Sequence, residues 1–450
     1  MSTDQIPATQ GPVFVPSDDG YEEEIAGYNR IVTHRPQLVV GAETVEDIAT
    51  AVQYAGREGL SVGVQATGHG PTVPADGVLI TTHRMRDVEV DPQARTARVA
   101  AGAQGSDVLA AAASHGLAPL GGSTGATGFI GYLLGGGLPM LGRQFGYAAD
   151  RVRSIDVVTA DGTARTVTPD NGSDLFWALL GARGNFGVVA SVEVDLVPVD
   201  EVIGGSLAFV GKEADAVIRA YFAWLPSCPD DVSTSIASMQ MPDQPFIPEP
   251  IRGQRTVQVR FLSTGSPETG FVDALSAAGS PVLGAVGPMR YADVATIHNE
   301  PTTPTVFAGR NGLLRELDEA GVEVLVAHLG SAGDDRYLAE VRHLGGALAV
   351  DPGGRTCIDR RDGALTLYTG TPLYGIDEDT AVAAQHELHS AIEPWSLGAV
   401  NTMFLTGAGR PGELESAFTP EAFQRLRDIK RQYDPSNMFR VNRNITPAAG

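Results

Sequence analysis

Residues 116–137 read GLAPLGGSTGATGFIGYLLGGG, and an earlier stretch, residues 61–71, reads SVGVQATGHGP. In both, glycine recurs too densely for regular structure, which implies that backbone closely approaches something. SVGVQ reads as a buried strand delivering the chain into ATGHGP, so His69 sits at a strand-to-loop exit. An alanine-rich helix opening at Ser106 and ending near Gly116 leads into the second loop. Two such loops in one N-terminal unit point to a phosphate-bearing cofactor, because backbone N–H groups can hold a pyrophosphate without basic side chains. Tight turns packed on one another are the plainer alternative.

The flanking elements support an α+β unit. Thr44 reads as an N-cap with Asp47 at N3, and Val45, Ile48, Ala49, Val52 and Ala55 keep helical spacing until Gly59 stops the run. Val88 and Val90 alternate before a turn at 91–93, and ARVAAG follows as a strand. RSIDVVTADGTARTVT predicts a hairpin with an Asp-Gly turn, DLFWALLG a helix capped by Ser173, and GNFGVVASVEVDLVPV a returning strand. From about residue 200 longer alternating stretches such as RTVQVRFL and GVEVLVAHLG lie between Pro- and Gly-rich links such as MPDQPFIPEPIRG, predicting a second domain on an antiparallel sheet. A charged helix beginning at Pro420, EAFQRLRDIKRQ, stops at Asp434-Pro435, and an extended tail follows.

Composition narrows the function. With 450 residues, 43% of them hydrophobic and 19% charged, the chain is an ordinary globular protein of two or three structural units. Its net charge of -22, from 32 Lys and Arg against 54 Asp and Glu, would repel nucleic acid and anionic membranes. Cys228 and Cys357 are far apart and lack metal-type spacing, so no disulfide framework or thiolate zinc site is expected, and a reducing cytoplasm fits. The first twenty residues read as a polar arm without a signal-peptide pattern, and no uncharged run is long enough to span a bilayer.

Three short motifs carry little. Gly121, Ser123 and Gly125 form G-x-S-x-G, but a helix and a Gly-Leu-Ala-Pro loop precede them where a serine hydrolase needs a buried strand. Gly407, Gly409 and Gly412 form G-x-G-x-x-G, yet Pro411 intrudes and a helix occupies the position of the required acidic strand, so a surface turn reads better. His386, Glu387 and His389 lack H-E-x-x-H spacing and read as a solvated helix surface; no metal is expected.

Seven pieces in order resemble the berberine bridge enzyme-like branch of the FAD-linked oxidases, in the vanillyl alcohol oxidase or PCMH-type FAD-binding superfamily. They are YNRIV with Pro36, ETVEDIATAVQYAGREGL, GHG, GFIGYLLGGG, FGYAADRV, DLFWALLGARGNFGVV and YDPSNMFRVNRNI. The resemblance implies a two-part FAD-binding domain at residues 21–200, a substrate domain with a large antiparallel sheet flanked by helices at 201–415, and a C-terminal segment, 416–450, returning to the FAD domain.

It also implies site roles. His69 matches the histidine that bonds to the flavin 8α-methyl carbon, although Gln65 and Ala66 stand where Arg and Gly are often found. Thr124 falls where many members carry a second, cysteinyl link, so a single covalent bond is expected. Thr127 matches a small gate residue that affects oxygen access. Further cofactor contacts are expected from Thr67, Gly68, Gly70, Gly128, Gly131, Gly135, Gly187, Val189, Asn401, Asn442 and Asn444.

In YLAEVRHLGGALA, period-two alternation puts Glu340, Arg342 and Leu344 on one face of a strand. The resemblance puts that face over the flavin, with Glu340 as a general base and Arg342 holding an anion or carbonyl; the plainer reading is a surface ion pair on an edge strand. Ala399 replaces a tyrosine that is often catalytic, and Leu367, beside Tyr368, stands near a position often held by glutamate. The implied reaction is hydride transfer from a small organic substrate, such as a secondary-metabolite intermediate, to covalent flavin, with O2 as acceptor. Monooxygenation of the flavin N5-oxide type, dehydrogenation to another acceptor, and a non-catalytic flavin-binding role are the alternatives.

Overall fold

A computed structural model describes residues 8–70, 73–265, 270–407, 409–410 and 412–449. Residues 1–7 of the polar arm, Pro71 and the intruding Pro411 therefore lie outside the described residues. Among the described residues the strands form three sheets, and no helix is long and apolar enough to cross a membrane.

The first sheet contains β1 (Val13–Phe14), β2 (Leu38–Gly41), β3 (Val62–Gln65) and β4 (Val78–Thr81) in the order β1-β2-β4-β3, with β2, β4 and β3 parallel. The helix Val45–Glu58 lies between β2 and β3 in the chain, and it begins as its residues dictate. Thr44 Oγ1 accepts from the Asp47 N–H, Asp47 Oδ2 accepts from the Thr44 N–H, and Gly59 closes the helix at φ 67. Ile48, Ala51, Val52 and Ala55 pack it against Leu38, Val40, Val78 and Ile80.

The second sheet contains β5 (Val88–Asp91), β6 (Thr96–Ala100), β7 (Val152–Val158), β8 (Ala164–Val167) and β9 (Val188–Asp195), antiparallel in the order β5-β6-β9-β7-β8. Its core takes in both glycine-loop helices, Gly105–Ala113 and Phe129–Leu134. The helix Ser173–Leu179 lies where DLFWALLG predicts one, but Ser173 is its first residue; the cap is Gly172 at φ 67, without a side-chain bond.

The third sheet is antiparallel and seven-stranded: β10 (Glu201–Val210), β11 (Val232–Gln240), β12 (Arg255–Ser263), β13 (Leu283–Arg290), β14 (Phe307–Leu314), β15 (Leu338–His343) and β16 (Leu365–Pro372), in the order β13-β10-β12-β11-β15-β16-β14. Alternation separates its faces. Ile236, Val257, Val259, Ala339, Val341 and Leu367 join the core under flanking helices such as Gly211–Trp224, whereas Ser235, Arg260, Glu340, Arg342 and Tyr368 have the opposite parity.

The segment GVEVLVAHLG is a helix, Glu319–Leu329, and not the alternating strand its β-branched residues predict. Asp318 caps it by accepting from the Gly321 N–H, and Leu325, Val326 and Leu329 bury its helical face, so capping and packing override strand propensity. His389, in the helix Glu378–Ala391, is also not solvated: it lies against Thr369 at 3.1 Å, and burial with nearby arginines holds its pKa well below the usual value.

The C-terminal segment packs on the N-terminal unit. The Val62 N–H donates to the Met438 carbonyl, and the Lys430 ammonium, wholly buried, donates to Asp434 Oδ2 at 2.7 Å and to the Asn185 carbonyl at 2.6 Å.

Candidate active site

A cavity of about 700 Å3 opens among the turn at Ala26–Tyr28, the loop after β3, the glycine loop at Ser123–Ala126 and the segment Ala295–Pro304 beside the third sheet. Thr67, His69 and Thr124 line it, joined by Tyr28, Ser123 and Glu300.

Local backbone explains how His69 is presented. Gly68 has φ 68, and a Cβ there would lie 2.5 Å from the Gly27 Cα, so side-chain-free backbone is needed on both sides. The Tyr28 and Asn29 N–H groups donate to the Thr67 and Gly68 carbonyls at 2.9 and 3.0 Å, fastening the two turns together. His69 Nδ1 lies 2.9 Å from Thr67 Oγ1, which also accepts from the Gly128 N–H at 3.1 Å, and the Tyr28 ring stacks on the imidazole. Burial pushes the His69 pKa down to about 4, against the opposing charge of Glu300. The imidazole is therefore neutral at ordinary pH, and Nε2 makes no hydrogen bond among the described residues.

The remaining loop residues do different work. Arg183, at φ 62, donates to the Gly70 and Leu405 carbonyls at 2.9 and 2.6 Å and ties the first glycine loop to the segment 402–405. Gly128 caps the helix Phe129–Leu134, Gly131 lies in it, and Gly135 ends it while accepting from Thr402 Oγ1. The Thr127 carbonyl accepts from the Gly105 N–H. A Cβ on Gly187 would lie 2.7 Å from the Val158 carbonyl oxygen, and Val189 is buried in β9; neither lines the cavity. Asn401 caps the turn Thr402–Phe404, Asn442 donates to the Gly184 carbonyl while its own buried oxygen lacks a partner among the described residues, and Asn444 is exposed.

Glu340 and Arg342 lie on an interior strand, β15, between β11 and β16, so the edge-strand reading does not apply. Glu340 is buried and receives bonds from Ser235 Oγ (2.7 Å), Arg260 Nη1 (2.9 Å), His298 Nε2 (3.2 Å) and Arg342 Nε (3.0 Å). Burial alone would raise its pKa, but Arg342, Arg260 and His298 together hold it well below the usual carboxylate range. A fully bonded carboxylate with so low a pKa is a poor proton acceptor, which argues against Glu340 as general base and for it as the group that orients its partners. Arg342 also donates to Ser123 Oγ at 3.3 Å and lies over the Phe404 ring, linking the sheet to the glycine loop.

Tyr368 faces Glu340 in register across β15 and β16, packs between Phe307 and Phe404, and is kept protonated by burial and by the charge of Glu300. Its hydroxyl lies 2.7 Å from where a Cβ on Gly309 would stand. Tyr28, Ser123, Ser235, Arg260 and His298 complete the site; Tyr28 carried a signal as part of YNRIV and Ser123 stood in the discounted G-x-S-x-G, whereas no local motif marks the other three.

The residues fit a flavin dinucleotide. A neutral imidazole stands on the cavity wall, glycine-rich backbone surrounds it, and the cavity volume falls within the range of cofactor sites. Comparison with known proteins agrees. Residues 36–168 match the model of an FAD binding domain, and residues 414–446 match the berberine and berberine-like family. The chain is 26% identical to (R)-6-hydroxynicotine oxidase of Paenarthrobacter nicotinovorans, over 97% of both chains. Its fold is similar to that of 6-hydroxy-D-nicotine oxidase from Arthrobacter nicotinovorans (TM-score 0.85, 22% identity, 100% of both chains). It is also similar to that of a xylooligosaccharide oxidase from Myceliophthora thermophila C1 (TM-score 0.82, 20% identity, 98% of both chains). Fold and site together define an FAD-dependent oxidoreductase with a PCMH-type FAD-binding domain. Within that class, the chain is similar to the berberine bridge enzyme-like FAD-linked oxidoreductases, by its matched residues 36–168 and 414–446 and by its 26% identical relative.

Proposed function

We propose that this enzyme oxidises a small organic substrate by hydride transfer to FAD held through one covalent bond from His69, with O2 as the final acceptor. The observation that carries the reading is the neutral His69 imidazole on the cavity wall, with Nδ1 engaged by Thr67 and Nε2 without a hydrogen bond among the described residues. When bound, FAD supplies a two-electron acceptor. His69 tethers it, Thr67 and Tyr28 orient the imidazole, and Thr124 offers no thiol for a second link. Thr67, Gly68, Gly70, Gly128, Gly131, Gly135, Gly187, Val189, Asn401, Asn442 and Asn444 shape or support the cofactor site, with Thr127 governing oxygen access. Arg342 and Tyr368 face the substrate, Arg342 as a fixed cation and Tyr368 as a hydrogen-bond donor. In this division of labour residues 21–200 hold the cofactor, 201–415 receive the substrate and 416–450 brace the cofactor unit.

Stopped-flow mixing of the reduced protein with air tests the acceptor. Reoxidation within seconds is expected; flavin that stays reduced for minutes would make the enzyme a dehydrogenase. Yellow colour that leaves the acid-precipitated pellet would remove the covalent bond from the proposal.

A further inference from the structure

Beside Arg342 lies a second, smaller cavity of about 50 Å3, lined by Ser235, Arg260, His298, Arg342 and His343 together with Arg143 and further polar and apolar residues. Arg342 links it to the larger cavity, lining the small one while donating to Ser123 on the wall of the large one. Three buried polar atoms of its lining lack partners among the described residues: His298 Nδ1, Arg260 Nε and His343 Nδ1. The His298 and Arg260 side chains are only 6% and 7% exposed.

The protonation pattern follows from the bonds. Glu340, ionised, has no proton to donate, so the 3.2 Å contact with His298 must be a bond donated by Nε2–H. Burial and the positive charge of Arg260 lower the His298 pKa more than Glu340 raises it, and the ring is neutral. Its Nδ1 is consequently a lone-pair acceptor, whereas Arg260 Nε–H is a donor. His343 Nε2 accepts from Arg143 Nη1, so its Nδ1 carries the ring proton and is a second donor. One unpartnered acceptor and two unpartnered donors in one small cavity are complementary to a hydroxyl group, which donates once and accepts twice. The other charged or titratable groups around the ring are Glu340, Arg342 and His343 on β15, Arg260 on β12 and Arg143 on the helix Gly142–Phe145.

We infer that His298 is the proton acceptor of the reaction, held in its reactive tautomer by Glu340, and that the substrate presents an alcohol hydroxyl to it. The inference rests on the flavin-dependent oxidation proposed above. The hydroxyl proton passes to His298 Nδ1, the C–H bond breaks with its electron pair leaving as hydride to the bound flavin, and the C–O bond becomes C=O. The alcohol loses two electrons and the flavin gains them. The imidazolium that forms is countered by Glu340, while Arg260 Nε–H steadies the oxygen as negative charge develops. Glu340 acts through His298 and is a positioning residue.

Histidine-selective 15N NMR of the holoenzyme tests this without turnover. The signals absent from His298→Gln are expected to show Nε2 protonated and Nδ1 unprotonated at pH 7, and Glu340→Gln is expected to mix the two tautomers. A protonated Nδ1 in the wild-type protein overturns the inference; should His298→Gln not fold, His298→Asn supplies the assignment. Anaerobic flavin reduction by a panel of alcohols, their methyl ethers and the matching amines gives a second readout. Alcohols alone should reduce the flavin, and His298→Gln, if it retains flavin, should slow this by about 10²–10⁴-fold. Reduction by ethers or amines but not alcohols, or a rate unchanged in His298→Gln, overturns it. A yellow protein with a protonated Nδ1 loses this inference alone, whereas a protein that takes up no flavin loses the redox reading while the nitrogen signals still report the tautomer.

Discussion

Tyr28 lies flat against His69, with ring centroids 3.9 Å apart and planes 6° from parallel. The stack closes one face of the imidazole, and Thr67 Oγ1 engages Nδ1, so the ring has little freedom to turn. Tyr28→Ala is expected to leave the fold intact and lower the fraction of flavin that resists acid precipitation, because the imidazole then samples unproductive orientations. His69→Ala should release all of it. Equal retention by Tyr28→Ala and wild type over a time course of FAD addition to apoprotein would remove the stack from the account.

Gly309 leaves space for the tip of Tyr368. Gly309→Ala would put a methyl group 2.7 Å from the Tyr368 hydroxyl and 3.2 Å from Thr406 Oγ1. Displacement of the phenol from the cleft should slow anaerobic flavin reduction while flavin retention stays unchanged. An unaltered reduction rate would exclude Tyr368 from the substrate site.

Lys430 and Asp434 form an ion pair with both side chains 0% exposed, and the ammonium also holds the Asn185 carbonyl. Lys430→Met strands a buried carboxylate, and urea unfolding should register a loss of about 3–5 kcal/mol. Since the same lysine fastens the C-terminal segment to the Gly184–Asn185 turn, flavin uptake should fall as well. A midpoint close to that of wild type would show the segment to be held by other contacts.

Burial depresses His69 to about 4 and His343 to about 3, and lowers His298, from an ordinary value of 6.5. Each is neutral in the folded apoprotein and takes up a proton more readily once unfolded. Their contribution is complete above pH 6.5 and is lost progressively as pH falls toward 4. Thermal melts of the apoprotein should show Tm declining from about pH 6.5, ahead of carboxylate titration near the usual pKa of ~4. His298→Gln should flatten the upper part of that decline; a Tm constant from pH 7 to 5 would contradict the assigned neutral rings.

Local chemistry made much of this architecture legible. The Thr44–Asp47 box, the Gly59 stop, the Asp161-Gly162 hairpin and the alternation at 338–343 are each decided by neighbours within a few residues. The helix at Glu319–Leu329 was not, because valines at alternate positions resemble a strand until Asp318 caps the run and the core takes its other face. Site residues divide the same way. Glu340 and Arg342 share a face by local periodicity, but Ser235 on β11, Arg260 on β12 and His298 reach Glu340 only through strand order and the fold of the chain before β14. Long-range register, absent from any window of sequence, therefore separates a carboxylate that takes a proton from one that orients its neighbours.

The tether at His69 is tested most directly by the intact mass of acid-denatured protein, measured for wild type and for His69→Ala. The wild-type mass should exceed that of the polypeptide by one FAD, with the addition confined to the peptide containing His69, and the variant should show the polypeptide alone. A wild-type protein of unmodified mass, or an adduct that persists in His69→Ala, would contradict the account.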